Sequence, residues 1–389
     1  MKRVLIDLRP AQTGSAHTGI GVYTRELVRA IQALSGSYEF YYLTLQNFPH
    51  PQLDLPPSRI IQVWRPTRPE RWHVLYDWLF LPSLFRRHRI DLYHSTIPTL
   101  VLPTRTTKLV VTLYDLIPDL FPGESLMGMD AWWIYQHRIR AASQANAILV
   151  ISDATARDLI GFKSIPEPLI HKTDLAANGR FHEEPQAQID AVRTAFNLPE
   201  RYMLYLGGYS ARKNISTLLL AYERSNLGSK GIGLVLVGVP KNGPGNSIRA
   251  QIQSSQHAKH ISCPGFIPEE QLPAVYSGAM VFVYPSLYEG FGLPLLESMS
   301  CGTPVITSTA GSLPEVAGDA ALLFDPTDDG ALTALLLQCV EDEALRGHLR
   351  AKGLARAAHY SWQRCAQETV RAYAQVLAEA PAQPHTHPG

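Results

Sequence analysis

Long hydrophobic runs are missing from this sequence of 389 residues. The longest apolar stretches, such as residues 231–239, have the length of a strand, well short of the roughly 18–20 residues of a transmembrane helix. Asp7 and Arg9 interrupt the first apolar run, which predicts a strand rather than a secretory leader. Only four cysteines are present, without a Cys-x-x-Cys pair, so the sequence indicates neither a disulfide framework nor a zinc site and favours a reducing cytoplasm.

Charge is also sparse, with 18% charged residues and a formal net charge of +1. No dense basic stripe stands out, which argues against a nucleic-acid-binding protein. The apolar fraction of 46% excludes a disordered chain. A chain of this length is expected to form two or three domains, at about 100–200 residues each.

Short β-branched and aromatic runs alternate with amphipathic stretches along the whole chain. Thirteen runs have the character of strands, and helical periodicity lies between them, for example at 22–34, 130–144, 214–226 and 328–339. This alternation predicts an α/β protein with helices covering parallel sheets. Thirteen strands exceed what one twisted sheet usually holds, so two doubly wound sheets are expected.

One polar stretch divides the chain. Residues 178–190 contain glycine, proline and several charges, and they separate a strand candidate from a fresh helix and strand. The sequence therefore predicts a first domain over 1–180 and a second over 181–360. The proline- and histidine-rich end at 380–389 is expected to be a disordered tail.

Three glycines follow the first strand and precede a helix: Gly14, Gly19 and Gly21. A glycine turn at the start of a helix can bind an anion, because unpaired N–H groups point at the ligand. The dinucleotide fingerprint fails here, since Thr24 stands where a third glycine is needed and no acidic residue ends the next strand. Alone, this cluster is weak evidence for a phosphate site.

Two stronger patterns lie in the second half. Arg212 and Lys213 follow the strand at 202–207, where open α/β sheets place ligands, and two cations before a helix favour a phosphate ligand over a solvated pair. Glu289 and Glu297 flank a second glycine loop that follows the strand at 280–284. The loop amides can hold a diphosphate, and a carboxylate can accept hydrogen bonds from ribose hydroxyls. The amides belong to Gly290, Phe291, Gly292 and Leu293.

The motif EGFGLPLLE at 289–297 resembles the E-x₇-E signature of retaining glycosyltransferases of the GT-B fold, especially glycosyltransferase family 4. The likeness covers most of the chain. It includes LGGYSARKNISTLLLAY and CGTPVITSTAGSLPEVAGDAALLFDP in the second half, and GIGVYTRELVRAI and VVTLYDLIPDLFP in the first. The resemblance implies two Rossmann-like domains facing each other across a cleft, with a last helix over 361–379 completing the first domain.

The resemblance also implies roles for particular residues. Arg212 and Lys213 would neutralise the donor diphosphate, Glu297 would bind ribose, and Glu289 would hold donor-sugar hydroxyls or, as an alternative, form a covalent intermediate. Gly21 would let the first-domain loop approach the phosphate. The nucleobase would lie near Phe266 and Ile267, with Glu269 reading guanine.

One pair departs from the family pattern. Tyr114 and Asp115 stand where the family usually has His-Asp, and both are candidate catalytic residues. A phenol can donate a hydrogen bond, but with an ordinary pKa of about 10 it is a poor base at neutral pH. The role of the usual histidine is therefore open at Tyr114.

The implied activity is retaining transfer of a hexosyl unit, with mannose from GDP-mannose favoured, to a saccharide or lipid-linked acceptor in surface polysaccharide synthesis. A sugar-nucleotide epimerase, a phosphorylase or an inactive nucleotide- or carbohydrate-binding protein are the alternatives on a similar fold. The sequence has no Asp-x-Asp motif, so neither a metal nor another cofactor is expected.

A basic, aromatic stretch runs from Arg65 to Arg89 and includes Trp72, Trp78 and Phe85. It is typical of a helix that faces the core with its arginines extended to solvent, or of a surface that touches anionic lipid. Pro82 argues against one long helix in either case. The expected location is the cytoplasm, with peripheral contact at the inner face of the membrane as an open possibility.

Overall fold

The chain folds into two compact units. In the computed structural model one unit comprises Met1–Pro118, Ser125–Leu175 and the chain from Trp362 onward, and the other comprises Asp119–Glu124 and Ala176–Ser361. The structure describes residues 1–16, 18–34, 38–64, 70–98, 104, 106–125, 129–239 and 245–378. The proposed tail at 380–389 lies outside these residues.

The first unit is built on a parallel sheet that has seven strands among the described residues, in the order β3-β2-β1-β4-β5-β6-β7. Val4 pairs with Phe40 on one side of β1 and with Leu92 on the other, so the strand order reverses at β1. The strands are β1 Lys2–Asp7, β2 Tyr38–Leu45, β3 Ile60–Val63, β4 Leu92–Ser95, β5 Lys108–Leu113, β6 Ala147–Val150 and β7 Ile170–Lys172.

The second unit has a parallel sheet of six described strands in the order β10-β9-β8-β11-β12-β13. Its order reverses between β8 and β11, where Phe282 pairs with Leu204. The strands are β8 Tyr202–Leu206, β9 Gly233–Val237, β10 Ile261–Gly265, β11 Val281–Tyr284, β12 Val305–Ser308 and β13 Ala321–Phe324. The predicted α/β class with two doubly wound parallel sheets is confirmed.

Helices cover these sheets because their apolar residues recur at helical spacing. Within the described residues they are α1 Gly19–Gln32, α2 Glu70–His88, α3 Ile117–Leu120, α4 Pro122–Ser125, α5 Met129–Ala142, α6 Asp153–Lys163, α7 Gln186–Phe196, α8 Ile215–Ser225, α9 Gly245–Ser254, α10 Leu272–Ser277, α11 Leu293–Ser300, α12 Leu313–Ala317, α13 Asp329–Glu341, α14 Glu343–Ala357 and α15 Trp362–Ala378. None of the helices that the structure describes combines the length and the apolar character needed to cross a membrane.

The last helix, α15, belongs to the first unit. The hydroxyl of Tyr373 lies 2.6 Å from Nδ1 of His94 at the end of β4. The Trp362 ring lies 6.2 Å from that of Tyr23 in α1. Both Tyr373 and Tyr23 are fully buried, so this helix is part of the first unit's core.

Helix α2 runs without a break through Pro82, contrary to the sequence argument that proline would interrupt it. Proline removes only one backbone hydrogen bond, and burial of one helix face offsets that loss. Leu81 and Phe85 pack into the core, whereas Leu79 and Phe80 are each 52% exposed. The helix therefore both faces the core and presents apolar side chains to solvent. Residues 65–69 of the basic stretch lie outside the described chain.

Candidate active site

The cationic pair and the glycine loop predicted in the second unit lie at the carboxyl ends of β8 and β11. The strand order of the sheet reverses between these two strands. Arg212 and Lys213 sit in a short turn, Ala211–Lys213, between β8 and helix α8. The turn is fixed by its own backbone, because the N–H of Lys213 donates to the Ser210 carbonyl at 3.0 Å. The Leu287 N–H also donates to the Arg212 carbonyl at 2.8 Å, which joins the turn to the loop after β11.

Glu289 lies between the two cations. Its Oε1 is 2.7 Å from Nζ of Lys213 and 3.1 Å from Nη1 of Arg212, and the three side chains are only 10–13% exposed. Burial raises the pKa of Glu289, but the charges of Lys213 and Arg212 outweigh burial and hold that pKa below its ordinary value. The carboxylate is thus ionised at neutral pH.

This internal counter-ion was not anticipated from the sequence. From the sequence alone, Arg212 and Lys213 are expected to need an external anion, because the cations face a helix start. In the structure Glu289 already neutralises part of their charge. One donor remains unused, since Nε of Arg212 is buried without a hydrogen-bond partner.

The glycine loop after β11 is held by residues that follow β12. The Ser312 hydroxyl donates to the carbonyls of Glu289 at 2.9 Å and Phe291 at 2.7 Å. Gly311 has a φ of +58°, and a Cβ there would lie 2.7 Å from the Glu289 carbonyl oxygen. Gly292 has a φ of +102° and precedes α11. Glycine at these positions permits the close approach that places Glu289 beside the cations.

Glu297 lies in the second turn of α11 rather than the first, so complementing the helix dipole does not account for it. The Tyr276 hydroxyl donates to its Oε2 at 3.0 Å. Burial raises the pKa of Glu297 to about 7. The side chain therefore changes charge near neutral pH, unlike Glu289.

The residues predicted to meet a nucleobase differ in exposure. The Phe266 ring is 81% exposed, whereas Ile267 is buried at 3%, so only the backbone of Ile267 remains for contact with a ligand. Glu269 forms an ion pair with Arg180, with 2.9 Å between Oε2 and Nη1. No pattern in the sequence indicates Arg180 as the partner of Glu269.

In the first unit Gly21 is sterically required. A Cβ at this position would lie 2.5 Å from the carbonyl oxygens of both Ser15 and Ala16. The Gly21 N–H donates to the Ser15 carbonyl at 3.1 Å. The glycine therefore lets the loop after β1 pack against the first turn of α1.

Tyr114 and Asp115 are both engaged within the first unit. The Tyr114 hydroxyl donates to the Thr96 carbonyl at 2.6 Å, and burial raises its pKa well above the ordinary value. Asp115 accepts a hydrogen bond from the Ile117 N–H at 3.0 Å, at the start of α3. The phenol thus keeps its proton at neutral pH and does not serve as a base.

Two further groups near the cationic turn were missed. The Tyr284 hydroxyl accepts a hydrogen bond from Nζ of Lys213 at 2.8 Å, and its position as the last residue of β11 is a signal that could have identified it. Glu124 accepts a hydrogen bond from the backbone N–H of Arg212 at 2.6 Å. No spacing or motif in the sequence connects Glu124 to this turn.

Similarity to known proteins identifies the family to which this chain belongs. Residues 17–172 match the model of Glycosyltransferase Family 4, and residues 187–356 match that of Glycosyl transferases group 1. The O-antigen chain mannosyltransferase B of Escherichia coli is 33% identical over 293 residues, covering 74% of this chain and 75% of that protein. The chain belongs to glycosyltransferase family 4. The family predicted from EGFGLPLLE is thereby confirmed.

Two more similarities extend over nearly the whole chain. The serotype-specific mannosyltransferase WbdA of Escherichia coli is 26% identical over 407 residues, covering 96% of this chain but only 48% of that protein. Sucrose-phosphate synthase from Thermosynechococcus elongatus superposes with a TM-score of 0.75 at 20% identity, covering 97% of this chain and all of that one. The GT-B fold is confirmed. This family 4 member is a hexosyltransferase, which decides against the epimerase, phosphorylase and inactive alternatives.

Proposed function

We propose that this family 4 glycosyltransferase moves a mannosyl unit from GDP-mannose, with retention of configuration, to a saccharide or lipid-linked acceptor in the synthesis of a surface polysaccharide. The observation that carries the proposal is the cluster of Arg212, Lys213 and Glu289 at the reversal point of the second sheet. The names of the relatives support mannose, since both Escherichia coli proteins are mannosyltransferases.

The cationic turn suits a departing diphosphate. As the bond to the sugar breaks, negative charge builds on the diphosphate oxygens, and Arg212 and Lys213 stabilise that charge. The unused Nε–H of Arg212 supplies a further donor for a phosphate oxygen. Retention follows if the acceptor attacks from the leaving-group face while a phosphate oxygen takes its proton.

A covalent intermediate on Glu289 has less support. Two ion pairs engage this carboxylate, and they lower both its pKa and its nucleophilicity. We assign Glu289 to the donor sugar as a hydrogen-bond acceptor. Tyr114 keeps its proton, so we assign it and Asp115 to positioning the loop after β5 rather than to proton transfer.

Recognition of the nucleotide is assigned to three groups. Glu297 accepts from the ribose hydroxyls, the exposed Phe266 ring stacks on the base, and Glu269 accepts from the N–H groups of guanine. Thermal-shift screening with GDP, UDP and ADP tests this assignment, because a ligand at 100 times its dissociation constant stabilises the fold by about 2.7 kcal/mol. A larger shift with UDP or ADP than with GDP would contradict the choice of base.

The reaction is tested with GDP-mannose in the presence and absence of an oligomannoside acceptor. We expect slow release of GDP without acceptor and faster release with it. An NMR spectrum of the transfer product reports the anomeric configuration of the new glycosidic bond. A β-mannoside formed from the α-linked donor would contradict retention.

Peripheral contact with a membrane is the second part of the proposal. Trp78, Leu79 and Phe80 are 36–52% exposed on α2, and Arg86 and Arg87 are exposed near the end of the same helix. Apolar side chains beside basic ones are typical of surfaces that bind anionic lipid. Such contact would bring the enzyme to a lipid-linked acceptor at the inner face of the membrane.

A further inference from the structure

The segment Asp119–Glu124 has an unusual place in the fold. Its contacts make it part of the second unit, although the residues before and after it in the chain belong to the first. The Phe121 ring lies 6.2 Å from the Tyr288 ring, and Glu124 Oε1 accepts a hydrogen bond from the Arg212 N–H at 2.6 Å. A carboxylate from this segment is therefore bound directly at the cationic turn.

The turn does not need Glu124 to keep its shape. The Lys213 and Asn214 N–H groups donate to the Ser210 and Ala211 carbonyls, and the Arg212 carbonyl accepts from the Leu287 N–H. These bonds fix the backbone on both sides of the Arg212 amide. Glu124 thus adds a charge to a turn that is already held, and a structural role alone does not explain it.

The negative charge of Glu124 disfavours the binding of another anion at the turn. Arg212 and Lys213 carry two positive charges, and Glu289 and Glu124 carry two negative ones, so the formal charges around the turn cancel. A backbone N–H that donates to a carboxylate oxygen can equally donate to a phosphate oxygen, since both are anionic acceptors. It cannot form a strong bond with both at once.

We propose that Glu124 occupies the place of a donor phosphate oxygen at the Arg212 amide, and that the donor diphosphate displaces it on binding. This inference rests on the proposed function, because it requires a nucleotide diphosphate at the turn. Glu124 is then a residue that sets donor affinity in the known reaction.

Calorimetric titration with GDP tests the proposal on four full-length proteins: the wild type, Glu124→Gln, Glu124→Ala and Glu200→Gln. The Gln variant keeps the shape and a neutral acceptor for the Arg212 N–H, so it remains informative if the Ala variant unfolds. Glu200 is exposed in the same unit, and its variant makes the same change in net charge away from the turn. Thermal midpoints verify that each protein is folded.

We expect both Glu124 variants to bind GDP roughly two- to fivefold more tightly, the range for removing one partly exposed like charge. We expect Glu200→Gln to bind GDP as the wild type does. Inorganic pyrophosphate should show the same gain, and guanosine, which lacks phosphates, should show none. Unchanged or weaker GDP binding by both folded Glu124 variants would overturn the inference while the proposed function stands. Failure of the wild type to bind any nucleotide diphosphate would overturn both.

Discussion

Replacing Glu289 with glutamine removes one buried charge while keeping the size of the side chain and an acceptor for Lys213. Removing one partner of a buried ion pair costs about 3–5 kcal/mol, because the other charge is left uncompensated. Here Lys213 keeps the Tyr284 hydroxyl and Arg212 keeps the Tyr288 carbonyl. We therefore expect a smaller loss, about 2 kcal/mol at pH 7.

The loss should depend on pH in a defined direction. The folded-state pKa of Glu289 is lowered, so its stabilisation is complete above the unfolded pKa and disappears as pH falls through the folded value. Urea unfolding should thus separate the wild type and Glu289→Gln at pH 7, and the difference should shrink below about pH 4. Glu341→Gln is the matched control, because Glu341 pairs with Lys230 at the same 2.7 Å but is 59% exposed.

Binding and turnover should move in opposite directions in Glu289→Gln. Without the Glu289 charge the two cations attract a diphosphate more strongly, so free GDP should bind roughly tenfold more tightly. The kcat should fall on the order of 10²–10³-fold, as for other preorganised charges at a reacting centre. Equal stability at pH 7 and unchanged GDP affinity together would refute the assignment of Glu289 as counter-ion.

Four further results are expected. In Glu297→Gln the KM for donor should rise. Because the wild-type pKa is raised to about 7, the wild type loses stability as pH rises from about 4.5 to 7. The variant should therefore be more stable than the wild type by about 3 kcal/mol at pH 8 and equal to it at pH 4. Gly21→Ala should destabilise the protein by about 1–3 kcal/mol, because its Cβ meets two carbonyl oxygens. Gly19→Ala should not, because a Cβ at Gly19 has nothing within 4 Å. Equal melting midpoints of the two variants would contradict this expectation. Transfer should continue in EDTA, as the missing Asp-x-Asp motif predicts, and loss of activity restored by Mn²⁺ would show that a metal is required. Binding of the protein to anionic vesicles at low salt should exceed its binding to neutral vesicles. Binding to anionic vesicles should fall in the Trp78→Ser/Phe80→Ser double variant, which loses two exposed apolar side chains. Equal sedimentation with both vesicle types would contradict membrane attachment.

The strands could be predicted from the sequence because buried parallel strands are short apolar runs bounded by turn residues. The strand predicted at 202–207 contains β8 Tyr202–Leu206, and the strand predicted at 280–284 contains β11 Val281–Tyr284. Their order in the sheet, and hence the reversal between β8 and β11, comes from tertiary packing. Nevertheless, Arg212 and Lys213 follow β8, one of the two strands between which the order reverses. Open α/β sheets bind their ligands at such a point.

The ion pairs of the site could not be read from the sequence. Glu289 lies 2.7 Å from Lys213 although 76 positions separate them in the chain, and Glu124 is 88 positions from Arg212. A motif indicates which residue types are present, but not which charges compensate each other. The burial of individual side chains could not be predicted from the sequence either. Ile267 and Phe266 are adjacent in sequence, yet they are 3% and 81% exposed.

The two roles of Glu289, inferred from the sequence and from the structure, are compatible as two states of one carboxylate. Without donor, the cations of the turn need a counter-ion, because two nearly buried positive charges would otherwise destabilise the fold. A bound diphosphate supplies that negative charge itself, which weakens the hold of Arg212 and Lys213 on Glu289. We expect the carboxylate then to accept hydrogen bonds from hydroxyl groups of the proposed donor's sugar. A site that exchanges counter-ions in this way stays folded when empty and completes its sugar contacts only when the diphosphate is in place.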